Sequence, residues 1–111
     1  MEKFMKLKEV NNDYGHYFLD ENGLKQGENK EYYSDGQLWL HSYYKDGKLH
    51  GEYKVYNKNG QLWIHYFYKE DIKHGECKRY SPDGSLDYTE YWSNGKDITD
   101  MYNKLNVWKK L

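Results

Sequence analysis

Several things that organise other proteins are missing here. There is one cysteine, Cys77, so no internal disulfide framework exists, and the chain fits a reducing compartment. A small side chain in a strand is the expected role for Cys77, since no motif marks a reactive thiol. No window approaches the roughly 18 apolar residues of a spanning helix. The opening stretch MEKFMKLKEV holds no apolar run long enough for a signal peptide. A soluble, cytoplasmic protein is the expectation. Charge of one sign is lacking too: 17 basic residues face 18 acidic ones, for a net charge of -1. Unspecific nucleic-acid binding needs a basic footprint that this balance does not supply, and a strongly anionic membrane surface is disfavoured for the same reason. No G-x-S-x-G, P-loop or H-E-x-x-H occurs, so neither an enzyme nor a cofactor is expected.

What the chain does have is aromatic residues: fourteen Tyr, four Trp and three Phe in 111 residues. A disordered composition does not carry so many. Tyr buries a ring while keeping its hydroxyl wet, which suits a thin sheet with little deep interior.

It also has a repeat. The segments 27–50, 51–74 and 75–98 align at a period of 24 residues, and 1–26 is a worn copy of the same unit. A period of this size marks a repeat architecture, whose terminal copies are often atypical. Turn signals punctuate it at Asp35-Gly36, Asp46-Gly47, Asn59-Gly60, Glu70-Asp71, Asp83-Gly84 and Asn94-Gly95. Asx-Gly between apolar runs is a strong hairpin signal, because Gly accepts positive φ and Asn or Asp tolerates it. The segments between turns are strand-sized, and none is helix-sized before residue 98. The chain therefore reads as one all-β domain, an elongated antiparallel meander of stacked hairpins. In the worn copy a strand is expected over roughly 3–9, a turn at 11–13 and a strand over 14–20.

Ser81-Pro82-Asp83-Gly84 sets the expected register. Pro fits the first corner of a type I turn and Gly a left-handed bulge position, giving a three-residue loop. Tyr80 then pairs with Leu86 and Arg79 with Asp87; by the repeat, Tyr56 pairs with Leu62 and Tyr32 with Leu38. Alternation puts Tyr32, Leu38, Leu40, Tyr44, Tyr56, Leu62, Ile64, Tyr66, Tyr68, Tyr80, Leu86, Tyr88 and Trp92 on one face, taken as the core. Lys30, Lys54 and Lys78 share that face and must lie flat. The other face carries Trp39, His41, Tyr43, Tyr53, Val55, Trp63, His65, Phe67, Arg79, Asp87, Thr89 and Tyr91.

After Gly95 the spacing changes. Ile98, Met101, Tyr102, Leu105, Trp108 and Leu111 fall three and four apart, which predicts a short amphipathic helix over 99–111 with Thr99 as its N-cap. Covering the last sheet edge is its expected role; lying on a membrane surface is the alternative.

The unit G-E-x-K-x-Y-x-x-[DN]-G-x-L resembles the MORN-type repeat in its bacterial and viral variant, closely over 27–98 and loosely over 1–26. The resemblance implies a twisted sheet of stacked hairpins. It also implies scaffolding, dimerisation, lipid-binding or, among bacterial relatives, antitoxin- or immunity-like roles. Departures are Glu70-Asp71 in place of a glycine turn, Asp87 where Trp39 and Trp63 recur, and the helical tail.

The candidate site is the aromatic set Trp39, Tyr43, Tyr53, Trp63 and Phe67 on the face away from the core, expected to bind a partner protein, since exposed aromatic patches mark contact surfaces. Two bland readings compete: a single-layer sheet half-buries both faces, or the two faces are exchanged. Lipid association and self-association into a homo-oligomer are the alternatives in other classes. His41 and His65 recur with the period, as do His50 and His74. Each pair lies two strands apart, roughly 9–10 Å, too far to share one metal ion, so no metal site is expected. The equal copies Glu28, Glu52, Glu76 and Lys30, Lys54, Lys78 read as cross-strand charge pairing.

Overall fold

The computed structural model describes residues 6–105. Within them a single antiparallel sheet of ten strands runs β1 (Lys8–Asn11), β2 (Gly15–Leu19), β3 (Gly27–Tyr32), β4 (Leu38–Lys45), β5 (Lys48–Tyr56), β6 (Leu62–Lys69), β7 (Ile72–Lys73), β8 (Gly75–Tyr80), β9 (Leu86–Ser93) and β10 (Lys96–Asp97). Neighbours in sequence are neighbours in space, except that β6 pairs with both β7 and β8. One helix, α1 (Thr99–Leu105), follows. The rest of the expected helix, 106–111, lies outside the described residues, as does the start of the expected 3–9 strand. In the worn copy the first strand ends later than expected, at Asn11, and the turn occupies 12–14. The array is thin, 51 × 42 × 19 Å.

The turns form as their residues dictate. In the 81–85 loop Ser81 N–H donates to Ser85 O at 2.8 Å, Gly84 N–H donates back to Ser81 O at 2.8 Å, and Gly84 takes a φ of 89°. Tyr80 stands opposite Leu86, Tyr56 opposite Leu62 and Tyr32 opposite Leu38, all as the three-residue loop requires. Glu70-Asp71 makes its turn without glycine. Both residues take left-handed φ, 51° and 67°. Asp71 is tied sideways to Leu49, its N–H donating to Leu49 O at 2.9 Å and its Oδ1 accepting from Leu49 N–H at 2.7 Å.

One residue past each loop the expected register breaks. Val55 faces Ile64, not Trp63; Glu31 faces Leu40; Arg79 faces Tyr88, not Asp87. Trp39, Trp63 and Asp87 are the extra residues of three equivalent β-bulges. Arg79 and Asp87 still meet, Nε to Oδ2 at 3.6 Å, through their side chains. Because sidedness has period two, a one-residue insertion exchanges the faces of the two strands it separates. From the bulge onward the second strands keep the expected sides. The first strands swap, Tyr32, Tyr56 and Tyr80 included, and Leu38, Leu62 and Leu86, which pair with those tyrosines, leave the core face with them. Tyr53, Val55, Cys77 and Arg79 join Leu40, Ile64, Tyr66 and Tyr88 on the core face, and Lys30, Lys54 and Lys78 go to the other. Burial follows this assignment: Leu40, Val55, Tyr66 and Cys77 are the buried apolar residues, with Asn29 and Ser42 buried beside them and hydrogen-bonded to each other at 3.2 Å. The physical cause is that matching Tyr53 and Val55 to Ile64 and Tyr66 buries apolar surface, whereas the unbulged register would bury lysines. Two core-face ammonium groups are held by rings instead: Lys25 over Tyr17 and Tyr44, and Lys73 over Tyr66 and Trp92.

Candidate interaction face

The face opposite the core is built from two rows that run across the strands. Direct cross-strand partners put Asn11, His16, Lys30, His41, Lys54, His65, Lys78 and Thr89 in one continuous row. Beside it, an acidic residue of each first strand faces a ring of the second: Glu9 faces Phe18, Glu28 faces Tyr43, Glu52 faces Phe67 and Glu76 faces Tyr91. Each of the three bulged hairpins thus presents lysine and glutamate on one strand and a ring on the other, and the β1–β2 hairpin has Asn11 in place of the lysine.

The two rows are knitted together. His16 is hydrogen-bonded to Glu9 at 2.6 Å, His41 to Glu28 at 3.0 Å and His65 to Glu52 at 2.9 Å. For His41 and His65 the bulge brings the carboxylate, by moving Glu28 and Glu52 to their face; Glu9 and His16 meet in a hairpin of unbroken register. The glutamate–lysine contacts run along a strand rather than across it, at 3.8 Å for Glu28–Lys30, 3.3 Å for Glu52–Lys54 and 2.7 Å for Glu76–Lys78. The hydrogen bond from His65, and then that from Lys54, hold the Glu52 carboxyl below its usual range, while the Glu76 partner raises Lys78. Each histidine ring also leans on the ring two residues along its strand, 5.3 Å between centroids for His16–Phe18, 5.2 Å for His41–Tyr43 and 5.0 Å for His65–Phe67.

Of the five aromatic candidates, four share this face: Trp39 and Trp63 at the bulges, and Tyr43 and Phe67 in the ring row. Trp63 is 41% exposed; Trp39 is half-buried, its ring 6.2 Å from that of Tyr33. Tyr53 does not join them. It lies on the core face opposite Tyr66, with its ring 5.3 Å from that of Tyr68, and burial pushes its hydroxyl pKa up. The Glu–His–ring grouping is what residue spacing missed. The alternation of Glu52 and Lys54 against Tyr53 and Val55 carried the signal, since only one of those pairs suits a core.

Bulges of this kind re-aim side chains, and here they turn a tryptophan outward in two successive hairpins. Three consecutive segments, 25–46, 49–70 and 73–94, match the MORN repeat variant, together more than half of the chain. The chain belongs to the MORN repeat variant family. Its three matched repeats are the three bulged hairpins, and the hairpin of β1 and β2 precedes them. No curated protein matches the sequence. Among the described residues no helix is long and apolar enough to cross a membrane, and no group of His, Cys, Asp or Glu is placed to hold a metal ion.

Proposed function

We propose that this MORN repeat variant protein is a non-catalytic interaction module that holds a partner protein on the two-row face through Trp39, Tyr43, Trp63 and Phe67. The observation that carries the reading is the bulge-borne Trp63, 41% exposed, with Trp39 one repeat before it and a ring from each hairpin alongside. Trp and Tyr are favoured anchor residues at interfaces, and the glutamate, histidine and lysine side chains form a polar surround whose charges are already paired. Repetition argues against catalysis, because an acid–base pair would be singled out from its copies, whereas the Glu–His pair recurs in equivalent settings at Glu28–His41 and Glu52–His65 and again at Glu9–His16.

An affinity capture from the native source, run in parallel with a Trp39→Ala/Trp63→Ala double variant of unchanged circular dichroism and unfolding midpoint, tests this. One stoichiometric protein retained by the wild type and lost by the variant is the expected result. A partner held equally by both overturns the site, and binding of acidic liposomes without a protein partner favours a lipid role instead.

A further inference from the structure

The last repeat already carries an occupant on this face. Tyr91 is the counterpart of Tyr43 and Phe67, each 24 residues from the next. Over it lies Tyr102 of α1, ring centroids 3.6 Å apart and planes inclined by 16°. The chain leaves the sheet at Thr99, one period after the Gly75 that starts β8. Thr99 Oγ1 accepts the Tyr91 N–H at 3.0 Å, standing in for the strand that would otherwise follow. Among the described residues the apolar side of the helix is open: Met101 is 54% exposed and Leu105 69%.

Spacing connects this contact to the rings of Tyr43 and Phe67, on which no helix lies among the described residues. Successive repeats are two strands apart, about 9.5 Å at ordinary strand separation. Packed helices sit about 8–10 Å axis to axis. A second helix laid on Phe67 in the way α1 lies on Tyr91 therefore falls at packing distance from α1. An added strand has no comparable place on this face, because the backbones of β5 and β6 are paired on both sides.

We propose that the partner element is an amphipathic helix bearing an aromatic side chain, which stacks on Phe67 and packs beside α1, with Tyr43 offering the next equivalent position. This rests on the partner-binding reading above and names the class of element bound.

The test titrates the isotope-labelled full chain with a lactam-bridged peptide of the α1 sequence, Thr-Asp-Met-Tyr-Asn-Lys-Leu, closed between its Asp and Lys. Saturable shifts at the Phe67 ring, the Trp63 indole and the Met101 methyl are expected. Binding should weaken at least fivefold when the peptide tyrosine is replaced by alanine, a control that leaves the protein untouched, and likewise in a Phe67→Leu variant. No saturable shift at millimolar peptide, equal binding by the alanine peptide, or shifts confined to the core face overturns the proposal. If those failures accompany a partner that the Trp39→Ala/Trp63→Ala variant loses, the helix inference falls while the interaction face stands.

Discussion

Glu52 on β5 and His65 on β6 are joined at 2.9 Å across a strand pair in which Lys54, not Glu52, is the direct partner of His65. The bond is diagonal, and Lys54 reaches the same carboxylate oxygen at 3.3 Å. With both contacts the Glu52 carboxyl titrates below its ordinary value of 4.5. A depressed carboxyl contributes stability that is present above the unfolded-state value and is lost as pH falls through the folded one. Glu52 is 42% exposed, so solvent screens the pair and the contribution at neutral pH is about 0.2–1 kcal/mol. Urea unfolding of Glu52→Gln should show that loss at neutral pH. Its stability should also fall less steeply than the wild type's between about pH 5 and 3. Parallel pH profiles for the two proteins would contradict the assignment.

The bulge predicts opposite behaviour for adjacent residues. Val55 is 5% exposed on the core face, and its truncation to alanine should cost about 1–3 kcal/mol in lost burial and residual cavity. Lys54→Ala, one residue away on the other face, should change stability by no more than about 0.5 kcal/mol. Chemical denaturation of the two variants decides between the observed register and an unbulged one, which would reverse their order.

At the 70–71 turn, Asp71 already carries a Cβ at a φ of 67°; Asp71→Ala keeps that strain, gives up the aspartate's better tolerance of the left-handed region and removes the acceptor for Leu49 N–H. A loss of about 1–3 kcal/mol is expected. Asp71→Gly loses the same acceptor without the backbone strain and should be the milder change. Comparing the two unfolding midpoints separates strain from hydrogen bonding; an alanine variant no worse than the glycine variant would show that the strain is negligible.

Cys77 is fully buried, and burial raises its thiol pKa. Both effects keep the reactive thiolate scarce in the folded protein. Native protein at mildly alkaline pH should resist alkylation, and one thiol should react once denaturant unfolds the chain. Rapid labelling without unfolding would place Cys77 at the surface.

Much of this was legible before any coordinates. Asx-Gly pairs and Pro82 located the hairpin turns, because only a few residues accept the backbone angles that tight turns require. Thr99 marked the start of α1, and its hydroxyl does satisfy a backbone group, though it is the Tyr91 N–H of the sheet rather than one within the helix. Trp39 and Tyr43, like Trp63 and Phe67, are legible as one side because they alternate along a single strand, whereas Tyr53 is related to them only across strands. Tyr53 falls on the other side because a bulge has no turn residue to announce it; the bulge position is filled by tryptophan at 39 and 63 but by aspartate at 87.

By itself the sequence determined the repeat period, the turns, the antiparallel meander and the family, since each depends on local backbone preference or on recurrence along the chain. Only the tertiary structure decided which residues share a face. That choice is made between strands, where burying Val55 and Tyr53 against Ile64 and Tyr66 outweighs one unpaired residue per hairpin. The same slip that buries them carries Glu52 and Lys54 across to His65 and Phe67, and so assembles the two-row face.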